Sequence, residues 1–309
     1  MTASKTSVPV GSLPEQPRRQ ARHRTYLYAP GHRPDVMRKA LLAGADCVLL
    51  DLEDAVPVEV KAEAREHVRE FLLEQTDQHG EERGPCEIHV RVNRGPDGYE
   101  PEDLDAAVSP ATRGLRLSKA EDPRELEELD TLVGDLEAAR GIEVGRTQMY
   151  PLIESALGLD RVDSLLRSSP RVVAACLGAS DLLADLSIPR ETRHGTLHLR
   201  SQLVVASRLA AAGPPIDSVH TDLGDADGLL QAARWARDLG FYGKSIIHPK
   251  QIAPVHEAFT PTADELARAT RVLEAARRHG SGATRDGDVF IDPAVVAHAM
   301  TVLQHQRNS

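Results

Sequence analysis

The chain has 309 residues, 41% of them apolar and 27% charged, with a formal net charge of −10. That is enough apolar content for one large domain, and an acidic balance with scattered basic residues excludes a nucleic-acid surface. No run reaches the roughly 18 apolar residues of a membrane span, and Cys47, Cys86 and Cys176 lack paired metal or redox spacing, which fits a reducing, cytoplasmic setting.

Residues 1–23 have no apolar centre of a signal peptide, and Pro9, Pro14 and Pro17 spoil an amphipathic helix there, so this arm is expected to be disordered. Thr25–Ala29 reads as a strand stopped by Pro30-Gly31, and Pro34–Ala43 as a helix ending near Gly44. Asp46–Leu50 is the next strand, followed by Asp51-Leu52-Glu53-Asp54 and a helix over Val58–Gln75. Glu87–Val92 and Gly114–Leu117 read as strands, and Pro123–Ala139 as a polar helix. Met149–Ile153 and Val172–Leu177 are short apolar runs between turn signals, as strands buried on both faces are, and Ser155–Arg167 between them has helical spacing. A helix over Leu197–Ala212, a strand at Ile216–Val219, a helix over Asp225–Leu239 and a strand at Lys244–Ile247 bring the strand candidates to eight.

Eight strands, most followed by a helix, predict a TIM (β/α)8 barrel over residues 24–258. An open doubly wound sheet is the alternative, but no GxGxxG follows the first strand. Thr262–Arg278 and Pro293–Gln304 are helices that a barrel does not need, and they make 259–309 a C-terminal helical appendage. The second of them must bury Val295, Val296, Ala299, Met300 and Leu303, for which a neighbouring subunit is one surface.

In a barrel, residues just past the strands face the functional mouth. Here they are His32, Asp51, Glu53, Asp54, Arg91, Asn93, Lys119, Glu154, Asp181, Asp217 or Asp222, and His248. Glu154 and Asp181 follow adjacent strands, and two hard oxygen donors in one mouth suit a Mg²⁺ that keeps water and substrate as its other ligands; each could instead cap the helix after it. Asp51, Glu53 and Asp54 need nearby cations to stay ionised. Arg91 offers a fork for a substrate carboxylate or for a buried ion pair with an acid of 51–54, and the two roles are not exclusive. Lys119 binds an anion or balances Glu154, and His248 supports a loop start. Lys61 and Arg65 read as a solvated helix face.

The segments RTYLYAPGHRPD, VLLDLEDAV, KAEAR, VRVN, LIESALGL, LGASDLLADL, GFYGKSIIHPKQI and DVFIDPAVVAHAM occur in an order that resembles the HpcH/HpaI aldolase and citrate lyase β-subunit family, with its malyl-CoA and citramalyl-CoA lyases, over about residues 24–305. The resemblance implies a TIM barrel that acts as a Mg²⁺-dependent carbon–carbon lyase on a CoA thioester and a small keto acid. It implies Glu154 and Asp181 as metal ligands, Arg91 on the keto-acid carboxylate, and Glu53 and Asp54 beside the metal. Arg24 and Lys119 would line the substrate and CoA pocket. The family also implies a homotrimer in which the C-terminal segment reaches a neighbouring site with Asp292 handling the proton. Three departures stand out: Ser118 where Pro is usual, Ser187 where Gly is common, and Ile-Asp-Pro-Ala around Asp292.

Overall fold

Short apolar runs bounded by Pro, Gly and acidic residues become parallel strands buried on both faces. The computed structural model describes residues 23–79, 84–189, 192–279, 284–286 and 289–307. It divides into two compact units, one within Pro17–Phe259 and one that includes Thr260–Ser309. Apart from His23, the expectation for the arm 1–23 lies outside the described residues.

In chain order the first unit runs β1 (Thr25–Pro30), α1 (Pro34–Leu41), β2 (Cys47–Asp51), a 3-10 turn (Val58–Val60), α2 (Lys61–His79), β3 (Glu87–Val92), β4 (Arg94–Gly95), β5 (Gly98–Tyr99) and α3 (Pro101–Ala107). It continues through β6 (Thr112–Leu117), α4 (Pro123–Ala139), β7 (Gln148–Ile153), α5 (Ala156–Asp160), α6 (Val162–Arg167), β8 (Cys176–Leu177) and α7 (Ala179–Asp185). The remaining elements are α8 (Arg193–Leu209), α9 (Ala226–Leu239), β9 (Lys244–Ile246) and α10 (Ile252–Phe259).

This is an α/β fold around a seven-stranded sheet in the order β8-β7-β6-β3-β2-β1-β9, with every neighbouring pair parallel. The eight-stranded expectation is corrected in one place. Ile216–Val219 does not form a strand; Ile216 and Asp217 make one isolated parallel bridge each, to Cys176 and Lys244. The sixth expected strand also shrinks to Cys176–Leu177, with a bridge from Val172 to Met149. Registers Pro30↔Asp51, Asp51↔Arg91 and Ile153↔Leu177 bring the carboxyl ends level, so the residues that follow them share one face of the sheet.

Ser187, one of the departures from the resemblance, takes a left-handed backbone with φ 56°. That region is cheap for glycine and strained for serine.

The second unit pairs α11 (Ala263–His279) with the hairpin β10 (Thr284–Asp286) and β11 (Val289–Ile291), followed by α12 (Pro293–Arg307). Its core is Ala269, Val272 and Ala275 from α11 with Ile291 and Ala299, and Val295, Val296 and Leu303 pack against it partly buried. Of the five residues expected to need cover, four therefore find it within their own unit, and Met300 is 40% exposed. The packing argument for a neighbouring subunit loses its force. Among the described residues no helix is long and apolar enough to cross a membrane.

Candidate active site

The β2 end and the turn after it are built around one carboxylate. Asp51, fully buried, accepts from the Glu53 N–H at 2.9 Å and the Ala55 N–H at 3.2 Å, which curls residues 52–55 over the strand end. It also takes the Arg91 fork, Nε at 2.7 Å and Nη2 at 2.6 Å. The ion-pair reading of Arg91 is realised, and the two-point edge expected for a substrate is occupied by Asp51. The remaining Arg91 nitrogen, Nη1, lies 2.6 Å from Glu53 and 3.7 Å from Asp54. The ring of Tyr28 lies 5.0 Å from the guanidinium, and burial pushes its hydroxyl up to about 12.

Glu154 follows β7 and is 5% exposed. Its Oε1 accepts from the Lys119 N–H at 2.7 Å, which is possible because Lys119 adopts φ 52° after β6. The Lys119 ammonium reaches Glu53 at 3.1 Å, so one residue engages both buried acids. Burial and then the Glu53 charge push the Glu154 carboxyl up to about 8, with Asp181 adding to the rise. Burial raises Glu53 as well, helped by Asp54 and opposed by Arg91 and Lys119.

Asp181 lies in the first turn of α7 and is exposed. It shares a cavity of about 400 Å³ with Tyr28, Asp51, Asp54, Arg91 and Glu154, lined also by Leu152, Leu177, Val219 and Ile247. Among the described residues no three His, Cys, Asp or Glu side chains are arranged to hold a metal. Two carboxylates opening on one cavity are what the sequence led us to expect, and a buried Glu154 that resists ionisation needs a cation beside it to become a good oxygen donor. Gly178 leaves the room: a Cβ there would stand 2.7 Å from Glu154 Oε2. The donor chemistry fits Mg²⁺, with water and substrate completing the shell.

Other expected site residues have partners of their own. Arg24 precedes β1 and is bound through N, Nε and Nη2 to Asp46, just before β2, at the amino ends of the strands and away from the cavity. Asp217 is buried against Lys244 Nζ at 2.6 Å and Arg200 Nη1, while Asp222 holds the Gly224 N–H in an exposed turn. His248 accepts from the Lys250 N–H as a loop start. Asp292 caps α12, its Oδ1 accepting from the Val295 N–H at 2.8 Å.

Lys61 and Arg65 are not a solvated face; Lys61 donates to Leu52 O, Glu53 O and Asn93 Oδ1, and Arg65 to the buried Asp103. Tyr28 was missed, although its alternation with Tyr26 in a parallel strand was a signal that both point inward. Also unforeseen is a network at the amino ends, where Glu87 Oε1 meets His23 at 3.2 Å and His89 at 2.9 Å.

The profile of the HpcH/HpaI aldolase/citrate lyase family matches residues 24–249. Citrate lyase subunit beta of Leuconostoc mesenteroides subsp. cremoris is 33% identical over 284 residues, 91% of this chain and 92% of that protein. L-malyl-CoA/beta-methylmalyl-CoA lyase of Cereibacter sphaeroides is 30% identical, covering 94% of this chain and 96% of its own. The crystal structure of CitE from Mycobacterium tuberculosis in complex with magnesium, acetoacetate and coenzyme A superposes with a TM-score of 0.74 at 31% identity, over 93% of this chain and 99% of that one. The chain belongs to the HpcH/HpaI aldolase/citrate lyase family.

Proposed function

We propose that this protein is a Mg²⁺-dependent carbon–carbon lyase that cleaves, or in reverse condenses, a 3-hydroxyacyl-CoA such as malyl-CoA or citramalyl-CoA, with an acyl-CoA and a 2-keto acid or glyoxylate as the fragments. The observation that carries this reading is the buried Glu154 carboxylate opening, with Asp181 and Arg91, on a cavity of about 400 Å³, a size suited to a small keto acid. The bridges at Ile216 and Asp217 support taking the sheet as a TIM barrel with its functional mouth at the carboxyl ends.

Glu154 and Asp181 would hold the metal. When bound, Mg²⁺ supplies Lewis-acid polarisation to a substrate oxygen. Arg91 orients the keto-acid carboxylate from its Nη1 side, since Asp51 keeps the opposite edge. Lys119, its side chain 53% exposed, reaches both Glu53 and incoming substrate. Asp292 moves the proton alpha to the thioester, supplied from a neighbouring subunit of a homotrimer; refolding Asp292→Asn with Glu154→Gln subunits should restore activity that each lacks alone.

A coupled assay over a panel of hydroxyacyl-CoAs tests the reading. Turnover that EDTA abolishes supports it, and keto-acid binding without turnover on any thioester would reduce the protein to a metabolite-binding barrel. The second reading, a citrate lyase β subunit acting on a carrier-protein thioester, is favoured by the match to the Leuconostoc protein. It predicts activity when the acyl group is carried on the protein and none when it is carried on CoA.

A further inference from the structure

The first turn of α2 delivers Lys61 to the outer side of the acid loop. Its ammonium donates to Leu52 O at 2.8 Å, Glu53 O at 3.0 Å and Asn93 Oδ1 at 2.6 Å. An ammonium has three N–H donors, and here all three go to uncharged oxygens, the pattern of a brace rather than of a surface ion pair. Asn93 is fixed in turn, its Nδ2 donating to Leu52 O at 2.8 Å and to Asp103 Oδ2 at 2.6 Å. Arg65 secures the other oxygen of the fully buried Asp103 at 2.6 Å.

On the inner side the loop hangs from Asp51 through the Glu53 and Ala55 N–H groups, and the Leu52 N–H donates to Arg91 O at 3.0 Å. With the carbonyls of 52 and 53 drawn outward to Lys61, the Glu53 side chain is left facing Arg91 Nη1 and Lys119 Nζ.

We infer that Lys61 is the positioning residue of the acid loop, holding Glu53 in the geometry that turnover uses. The assignment rests on the lyase reading above. Lys61 touches no part of the cavity itself and acts through the backbone on either side of Glu53.

The test uses the full chain carrying Lys61→Met, with Lys61→Gln, which keeps two N–H donors but no charge, as the variant to read if the first does not fold. Arg69→Met serves as the control, since Arg69 lies on the same helix but pairs with the exposed Glu66 and Asp105. Amide exchange at Glu53, Ala55 and Val56 is expected to accelerate by about tenfold or more in the Lys61 variants, at a temperature where the remainder of the unit stays protected. On the thioester that the parent cleaves, kcat is expected to fall about 100-fold while KM stays within about twofold, because substrate contacts survive and only the reacting geometry loosens. Arg69→Met should match the parent in both measurements. Unchanged exchange at those amides would overturn the brace, and faster exchange with a parental kcat would overturn its part in turnover. If the parent itself cleaves no thioester, the lyase reading fails, and the exchange result still decides whether Lys61 holds the loop.

Discussion

The two ends of the central sheet both withdraw carboxylates from solvent and treat them in opposite ways. At the amino ends, burial works to raise Glu87 and Asp46, but His23 and His89 on the first and His256 and Arg24 on the second hold both well below the usual carboxylate range. At the carboxyl ends, burial wins: Glu154 and Glu53 are pushed up, because their cations are shared among several acids. Desolvation is common to both ends, so the ratio of partners to acids sets the direction. Fully paired acids read as structural stitching, and under-compensated acids beside a cavity read as a site suited to a cation.

The strongest way to break this contrast is Glu154→Gln. We expect kcat to fall about 1000-fold, and the magnesium-free protein to become less sensitive to alkali. The sign follows from Glu154: a folded carboxyl at about 8 against an ordinary 4.5 makes the metal-free fold lose stability as pH rises across that window. Urea midpoints in EDTA should show the decline in the parent and a flatter profile in the variant; equal profiles would mean that Glu154 is not held protonated.

Glu87→Gln should do the reverse, lowering stability by about 3 kcal/mol by stripping a buried acid from two histidines, while kcat is unchanged. A fall in kcat without loss of stability would erase the division of labour between the ends.

Two glycines sharpen it. A Cβ at Gly178 would come within 2.6 Å of Glu154 Cβ, and one at Gly114 within 2.7 Å of Tyr150 and 2.8 Å of His89. Gly178→Ala is expected to weaken Mg²⁺ binding in calorimetry by about tenfold. Gly114→Ala should cost about 2 kcal/mol of stability and leave Mg²⁺ affinity alone.

The smallest effect concerns acid. Burial pushes His89 down from 6.5 to about 4, so the unfolded chain takes up a proton that the fold refuses, and stability falls as pH drops through that window. His89→Gln should remove that part of the slope and leave the loss from Asp46, which His89 does not touch, at lower pH.

Most strands and helices were legible because hydrophobic period and turn residues are local signals. The same locality explains the convergence of Asp51, Arg91, Glu154 and Asp181, each of which ends a strand or follows one. What was hidden depends on partners far along the chain. Glu87 pairs with His23 across the sheet, and Lys61 looked solvated because its acceptors are carbonyls, which no side-chain pattern reveals. Arg24 was drawn to the pocket by resemblance alone, while its place before β1 puts it at the other end. Ile216–Val219 has the composition of a strand, yet two single bridges are all that its neighbours give it.

Lys119 sets a limit on how freely this site can be altered. Its backbone, at φ 52°, asks for glycine, while its side chain must carry a charge to Glu53. Lys119→Gly would relieve roughly 1 kcal/mol of strain and leave a buried acid without its ammonium, and Lys119→Ala would lose on both counts. Neither stabilising substitution nor neutral drift has an easy path through a position where the residue best for the main chain is the worst for the charge.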